Sequence, residues 1–488
     1  MVKKYESTFI NNHYYYYNLE VMKKKNTPIV CDLDGTLIKS DLFIESLLIY
    51  IKLNFFHIFI AIYKLITQRI TFKNYITDSY KPNPDKIPFN TALISWLENQ
   101  KKEGREIYLV TGSTKSSIGL IKSKLTIFSG IYNSTNNQNL VGSEKAKILI
   151  KKFGREKFDY IGNSIADFKV WKYARKKILA NNIYLQLIFR NYFDKIFKKD
   201  KGYLKNLSYF IRMHQWSKNG LIFLHPLIVF QSLDVPIFLN YLIFFFVFSI
   251  TASFVYVLND IIDLAHDREH TQKKHRPLAN GFFDIKESVL LLLFLSFLIL
   301  CFVLNSSMVL IYILLTYLVL NIIYSIYLKK IKYIDIFALS IFFNIRIFSG
   351  IEIDPNSIIS KRFLLFTLLI FFSLGSLKRI VELINQPNIK NSGRAYIAED
   401  KQNLKVIGLG ALLISFILII DSYNYLQIAN QFNFSTFLSL LGLIYIWLIY
   451  LWYSGFVSRF VNDPVVFAMK NPVSLFLIFL IVNVVLFV

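Results

Sequence analysis

The sequence predicts an α/β domain with a parallel sheet, followed by an all-α membrane domain of nine transmembrane helices. Three observations carry this. Of the 488 residues, 54% are hydrophobic and 17% aromatic, too apolar for an ordinary soluble enzyme of this size. Up to about residue 200, short apolar runs alternate with Gly-containing turns and charged helical stretches, the texture of strands and helices in alternation. From Asn219 onward nine apolar runs follow, centred near 226, 248, 295, 317, 343, 372, 413, 444 and 480. Each is roughly 16 to 25 residues long, the length a bilayer core demands of a helix.

The N-terminal tail, residues 1–25, lacks the continuous apolar core of a secretory signal, so the domain after it is expected in the cytoplasm. That domain spans 26–185. Within it, "FIESLLIYIKLNFFHIFIAIYKLI" from Phe43 is apolar enough to suggest a further span, but Glu45, Lys52, His57 and Lys64 interrupt it. A single crossing there would also part motifs that must share one site, so residues of about 42–90 are expected as a helical cap. Residues 186–217 mix Lys and Arg with aromatic residues at helical spacing, predicting a basic amphipathic helix on the membrane surface. The membrane domain then runs over 218–488. Loops after spans two, four, six and eight carry "HDREHTQKKHR", "LKKIKY", "NIKNSGRAYIAEDKQNLK" and "SRFVNDPVVFAMK", and on the opposite side only Lys361 and Arg362 break the pattern. This asymmetry predicts a multi-pass cell-membrane protein with a cytoplasmic N-terminus.

The net charge of +24 is accounted for by basic loops that orient the chain and meet anionic lipid, so the expected partner is the bilayer and not nucleic acid. Two cysteines, Cys31 and Cys301, supply neither a disulfide framework nor a thiolate metal site.

Phosphotransfer chemistry shows in four cues in the α/β part. "PIVCDLDGTL" sets Asp32 and Asp34 just past a buried strand, a nucleophile beside an acid/base partner, with a Gly-Thr turn open to a phosphate. "EIYLVTGST" ends a second strand at Thr111, a donor to phosphoryl oxygen. Lys145 in "GSEKAKIL" and Asp167 in "YIGNSIADFKVW" complete the set. Any one of them alone also reads as a helix cap or a turn; together and in this order they resemble the haloacid dehalogenase superfamily of phosphatases over most of residues 26–185. The resemblance implies a Rossmann-like fold with a helical cap and a Mg2+-assisted reaction. In it Asp32 forms the aspartyl-phosphate, Asp34 is acid then base, Thr111 and Lys145 hold the phosphoryl group, and Asp32, Asp34 and Asp167 bind the metal. Asn163 stands where that family often has a second Asp. The alternative is a domain kept only for binding or regulation.

The stretch "LNDIIDLAHDREHTQKKHRPL" gathers acids where span two ends. On one continuous helix Asn259, Asp263 and Asp267 recur every four residues and share a face, with Asp260 one position aside. Clustered carboxylates at a membrane boundary call for a hard divalent cation, expected as Mg2+, which would grip a diphosphate. The oxygen-rich setting disfavours Zn2+ on His266 and His270. Lys273, Lys274 and Arg276 follow, either as phosphate contacts or as topology-setting charge. This stretch resembles the first Asp-rich motif of the UbiA prenyltransferase superfamily, helical membrane enzymes of nine spans. Where many members carry a second acidic motif, "YSIYLKKIKYIDIFALSIFFNIRIFSG" offers only Asp335, with Lys329 and Arg346. With "RMHQWSKNGLIFLHPL", which contains Lys218, and "GSLKRIVEL", it is most similar to the branch that includes decaprenyl-phosphate phosphoribosyltransferase.

That resemblance implies a phosphosugar diphosphate donor, phosphoribosyl pyrophosphate, and a polyprenyl phosphate acceptor. Asn259, Asp260, Asp263 and Asp267 hold the Mg2+-diphosphate, and Lys218, Lys273, Arg276, Lys329, Asp335 and Arg346 bind substrate. Arg346 inside a span needs a partner, and Lys378 and Glu382, four apart, suit an ion pair. Transfer from a polyprenyl diphosphate to an aromatic acceptor remains an alternative, as does a non-catalytic membrane scaffold.

Overall fold

The computed structural model describes residues 27–53, 56–122, 126–135, 139–199, 202–228, 235–354, 360–385, 395–423, 433–457 and 464–487; the predicted tail 1–25 lies outside them. The chain forms two compact units. One is the part up to Phe210 together with Asp260–Leu291, and the other is Ile211–Asn259 together with the chain from Leu292 onward. The stretch after Asp260, which the apolar pattern places with the membrane helices, thus folds with the N-terminal part.

The first unit is built on a parallel sheet of β1 (Ile29–Cys31), β2 (Ile107–Thr111), β3 (Gly130–Asn133), β4 (Asp159–Gly162), β5 (Lys176–Ala180) and β6 (Lys195–Phe197), in the order β3-β2-β1-β4-β5-β6. Register is set by Ile29 opposite both Ile107 and Asp159. β1 and β4 are buried throughout, and β1 reads as an unbroken apolar run. The strand order reverses at β1, so the crevice past the carboxyl ends of β1 and β4 is where this Rossmann-like arrangement places ligands. Within the predicted surface helix over 186–217, Tyr203–Phe210 is helical, but Lys195, Ile196 and Phe197 form β6 and pair with β5, and Phe197 meets Trp96 edge-on. For these three residues the open strand edge outweighs helical spacing.

The helices of this unit are α1 (Leu42–Leu53), α2 (His57–Thr67), α3 (Arg69–Ser79), α4 (Thr91–Lys102), α5 (Lys115–Lys122) and α6 (Ser143–Phe153). The apolar run from Phe43 is divided between α1 and α2 and is no continuous span. With α3 they close on a small core of Tyr50, Ala61, Phe72 and Ile76, while Phe59, Ile62, Tyr63 and Ile66 on α2 face outward.

Among the described residues, seven helices of the second unit are long and apolar enough to cross a membrane. They are α7 (Val235–Ile262), α8 (Ile285–Val303), α9 (Met308–Ile326), α10 (Ile334–Ile353), α11 (Lys361–Asn385), α12 (Asp400–Asp421) and α13 (Phe434–Val457); the first part of α8 and the last turn of α7 count with the other unit. Nine were expected, and two runs differ. Around 226 the chain is a 3-10 segment, Met213–Phe223, and a single turn, Leu224–Ile228, with 229–234 outside the described residues. Around 480 it is α14 (Pro472–Phe487), 16 residues long. His225 and Pro226 interrupt the first run, and Asn471 and Pro472 shorten the second.

Small residues let these helices approach closely. A side chain on Gly350 of α10 would run into the carbonyl oxygen of Ile222, and one on Gly408 of α12 would come within 2.7 Å of the Trp452 ring. Gly350→Val is therefore expected to destabilise the helical unit by about 1–3 kcal/mol, the usual cost of overpacking. Its thermal unfolding in detergent should fall below that of wild type, and an unchanged transition would contradict this packing.

Candidate functional site

The turn after β1 supplies the first cluster. Asp32 accepts from Leu33 N at 2.8 Å and from Lys145 Nζ at 2.9 Å. Lys145, on α6, donates to Tyr160 OH at 3.1 Å and lies 3.9 Å from Asp167 Oδ1. Tyr160 OH in turn donates to Asp167 Oδ1 at 2.7 Å. Burial would lower the Lys145 ammonium, but Asp32 and Asp167 outweigh it and raise its pKa, so it stays a cation. Asp167 Oδ2 accepts from Asn163 N, Ser164 N and Ser164 Oγ at 3.1, 2.9 and 2.8 Å. It therefore caps the turn it ends as well as facing Lys145.

Asp34 accepts from Leu42 N, the first residue of α1, at 3.0 Å and from Ser113 Oγ. Burial, then the nearby Asp41, push its carboxyl up to about 7. Thr111 Oγ1 accepts from Ser113 N at 3.0 Å, which leaves its own hydrogen to donate. Gly35 adopts φ +74°, and a side chain there would collide with Asn163, so the turn and Asn163 are fitted to one another. Asp32, Asp34, Thr111, Lys145 and Asp167 are thus brought to one crevice. Sequence reasoning missed Tyr160, Ser113 and Lys73. Lys73 reaches from α3 to Gly112 O at 2.8 Å, and burial lowers its pKa against the pull of Asp34 and Asp41; as one of many exposed-looking lysines it carried no signal.

The second cluster lies where α7 ends. Expectation put Asn259, Asp263 and Asp267 on one helix face, but α7 stops at Ile262 and Asp263 breaks it before a short helix, Leu264–Glu269. Asp is a poor helix-interior residue, and here its carboxylate leaves the row. It takes Lys52 Nζ of α1 at 2.9 Å. The pair that meets is Asp260 and Asp267, joined by Arg276 Nη1 at 3.0 and 2.6 Å. Lys273 Nζ lies 3.9 Å from Asp267 Oδ1, a buried oxygen that receives no hydrogen bond. Asn259 stays on α7, half-buried, and Lys274 is exposed. His270 Nδ1 faces the backbone N–H groups of Gln272 and Lys273 at 3.2 and 3.4 Å, a turn contact that occupies this nitrogen. Among the described residues no three His, Cys, Asp or Glu side chains converge as a ready metal cage; where carboxylates meet, a Lys or Arg stands between them.

In the second unit, Asp335 on α10 is fully buried and receives Arg379 of α11 through Nε and, at 3.0 Å, through Nη2. Tyr324 OH adds a third bond at 2.8 Å. Arg379 also meets Glu382 at 2.7 Å, so the Arg one position beyond Lys378 makes the i,i+3 pair with that acid. Arg346 on the same α10 is buried with neutral partners: Asn219 Oδ1 at 2.7 Å, Phe342 O and Tyr317 OH at 3.2 Å, with rings of Phe248, Tyr317 and Phe343 around it. Lys218 lies 5.9 Å over the Phe343 ring, and Lys329 is half-buried in a 3-10 turn before α10.

Residues 221–455 match the UbiA prenyltransferase family, and this region is a domain of that family. With seven helices long and apolar enough to cross a membrane among its described residues, the chain is a multi-pass integral membrane protein that carries this domain. The chain is 28% identical over 469 residues to the protein y4nM of Sinorhizobium fredii, covering 93% of this chain and 89% of that one. It is 41% identical over 75 residues to the decaprenyl-phosphate phosphoribosyltransferase of Mycobacterium tuberculosis, 14% of this chain and 25% of that protein. A UbiA homolog from Archaeoglobus fulgidus, solved bound to GPP and Mg2+, aligns at 14% identity over 57% of this chain and 99% of its own, with a TM-score of 0.44.

Two outcomes follow for the buried acids. Asp335→Asn leaves the buried Arg379 with the half-buried Glu382 as its charge partner and is expected to cost about 3 kcal/mol, more than Asp335→Leu combined with Arg379→Met; detergent unfolding of the two variants would compare them. Asp34 holds its proton up to about pH 7 when folded, against 3.8 ordinarily, so its ionisation weighs increasingly against the fold between those values. In chelator, Asp34→Asn should raise the Tm more at about pH 8 than at about pH 5; equal gains would mean that Asp34 titrates as an ordinary carboxyl.

Proposed function

We propose that the helical domain transfers 5-phosphoribose from phosphoribosyl pyrophosphate to a polyprenyl phosphate. The bond between ribose C1 and the pyrophosphate oxygen breaks, a phosphate oxygen of the lipid takes its place, and pyrophosphate leaves. The observation that carries the reading is Arg276 seated between Asp260 and Asp267, a loop that brings fixed cations and carboxylates together as a metal-diphosphate requires. The 41% identity to the mycobacterial phosphoribosyltransferase supports the donor.

The donor set fits Mg2+: the buried Asp267 Oδ1 lacks a hydrogen bond, and Asp260 and Asp267 offer hard oxygens. Bound there, Mg2+ would neutralise the leaving pyrophosphate. Lys273 and Arg276 would hold its oxygens. Lys218, Lys329 and Arg346 would contact phosphate, Arg346 being suited by a charge that no carboxylate among the described residues offsets. Asp335 serves by locking Arg379 and Tyr324 in place and not by touching substrate.

The N-terminal unit is proposed as a haloacid dehalogenase-type phosphatase, cytoplasmic, acting on the lipid-linked product. The Asp32 carboxylate attacks phosphorus while protonated Asp34 gives its proton to the departing alkoxide; Asp34 then takes a proton from the water that hydrolyses the aspartyl-phosphate. Thr111 and Lys145 hold the phosphoryl oxygens in a buried setting that strengthens such contacts. Asp32, Asp34 and Asp167 would hold Mg2+ there, neutralising phosphate charge.

Membranes containing the protein should convert radiolabelled phosphoribosyl pyrophosphate and polyprenyl phosphate to a labelled lipid with Mg2+ and not with chelator. Arg276→Ala should raise the donor KM about tenfold, the loss of one charge-assisted contact. Label transferred only from a prenyl diphosphate to an aromatic acid would reject the donor. Phosphate release from the purified lipid product by wild type, lost in Asp32→Asn, tests the second step.

A further inference from the structure

We propose that α1 is a positioning element that fixes the loop carrying Arg276 and links it to the acid of the phosphatase crevice. It rests on residues 260–279 being the diphosphate grip. All the groups concerned lie in the first compact unit.

α1 starts on the crevice: Leu42 N donates to Asp34 Oδ1 at 3.0 Å, and Asp41, just before the helix, accepts from Ile44 N at 3.3 Å and pairs with Lys286 at 3.1 Å. One turn on, Glu45 receives Ser40 Oγ and, at 2.6 Å, Arg268 Nη1. Both side chains of that pair are 6% exposed, so neither charge has water to replace its partner. Arg268 Nε then donates to Ala279 O at 3.1 Å, tying together the two ends of the loop in which Arg276 grips Asp260 and Asp267. Two turns further along α1, Lys52 takes Asp263 at 2.9 Å, the acid released by the helix break. Beyond the loop, Lys199 holds Glu287 at 2.6 Å, again largely buried.

The consequence is preorganisation. A long, charged loop between two helices would lose much conformational freedom on binding a diphosphate, and α1 removes that cost beforehand by holding both the loop closure and Asp263. Glu45 and Lys52 are positioning residues: they touch the loop and not the reacting atoms. The same helix receives Asp34 at its first N–H, so one rigid element carries groups of both sites.

Hydrogen–deuterium exchange on the full chain in detergent tests this, with inorganic pyrophosphate and Mg2+ as the probe. Without ligand, Glu45→Gln is expected to speed exchange over residues 264–279 about tenfold. Lys52→Ala, at a half-exposed pair that the fold does not require, should speed it less. The pyrophosphate concentration that half-protects the loop should rise about tenfold in Glu45→Gln and several-fold in Lys52→Ala. Glu45→Arg combined with Arg268→Glu should bring both readouts back toward wild type. Wild-type exchange and an unshifted midpoint in both single variants would overturn the role of α1. Absence of pyrophosphate protection in wild type would instead reject the diphosphate reading, while the exchange without ligand still decides on α1.

Discussion

A carboxylate taken out of water stays ionised only where a cation or several donors replace the water it lost. Three places in the chain obey this in the same way. Asp32 and Asp167 share Lys145, Asp260 and Asp267 share Arg276, and Asp335 receives two nitrogens of Arg379. In each the acid comes from a strand end, a helix end or a helix interior, and the base from another segment of the chain. The cation therefore sets the distance between its acids. Removing one partner of such a buried pair strands the other charge and costs several kcal/mol, whereas replacing the whole pair with apolar residues costs far less. Specific placement, more than added stability, is what these pairs provide.

The sheet explains why the first of these clusters forms where it does. Parallel strands end on one edge, and at β1 the order of strands turns back on itself, so the residues following β1, β2 and β4 face a common crevice. Asp32, Thr111 and Asp167 occupy those three strand ends, and α6 brings Lys145 to them. Nothing comparable organises the helical unit. There Asp335 and Arg346 sit on α10, and the approach of the helices is fixed by side-chain packing, through contacts such as Gly408 against Trp452.

What could be read from sequence follows the same division. Strand-end motifs are local, so Asp32, Asp34, Thr111 and Asp167 were visible in short quotations, and apolar length alone found the seven long helices. Partners distant in sequence were not visible. Nothing near Asp335 points to Arg379, and nothing near Asp263 points to Lys52. The helical periodicity of Asn259, Asp263 and Asp267 misled because periodicity assumes a continuous helix, and the break at Asp263 re-aims the acid. β6 was hidden because three residues followed by a lysine-rich flank resemble a basic helix until a strand edge is available to pair with them. The need of Arg346 for a partner could be anticipated, but its neutral cage of Asn219, Phe342 and Tyr317 could not.

The first compact unit is discontinuous in the chain, and that orders its biogenesis. Glu45 leaves the ribosome 223 residues ahead of Arg268, a delay on the order of ten seconds or more at ordinary rates of synthesis. The sheet and α1 are complete long before the segment that covers them exists. Between the two the ribosome makes α7, an apolar helix that must enter the bilayer in the meantime. Until it has, Glu45 is an acid awaiting its base. The pairing of Glu45 is thereby timed by the insertion of the first long membrane helix, and a chain stalled at that step carries a finished sheet whose α1 is not yet tied to the loop.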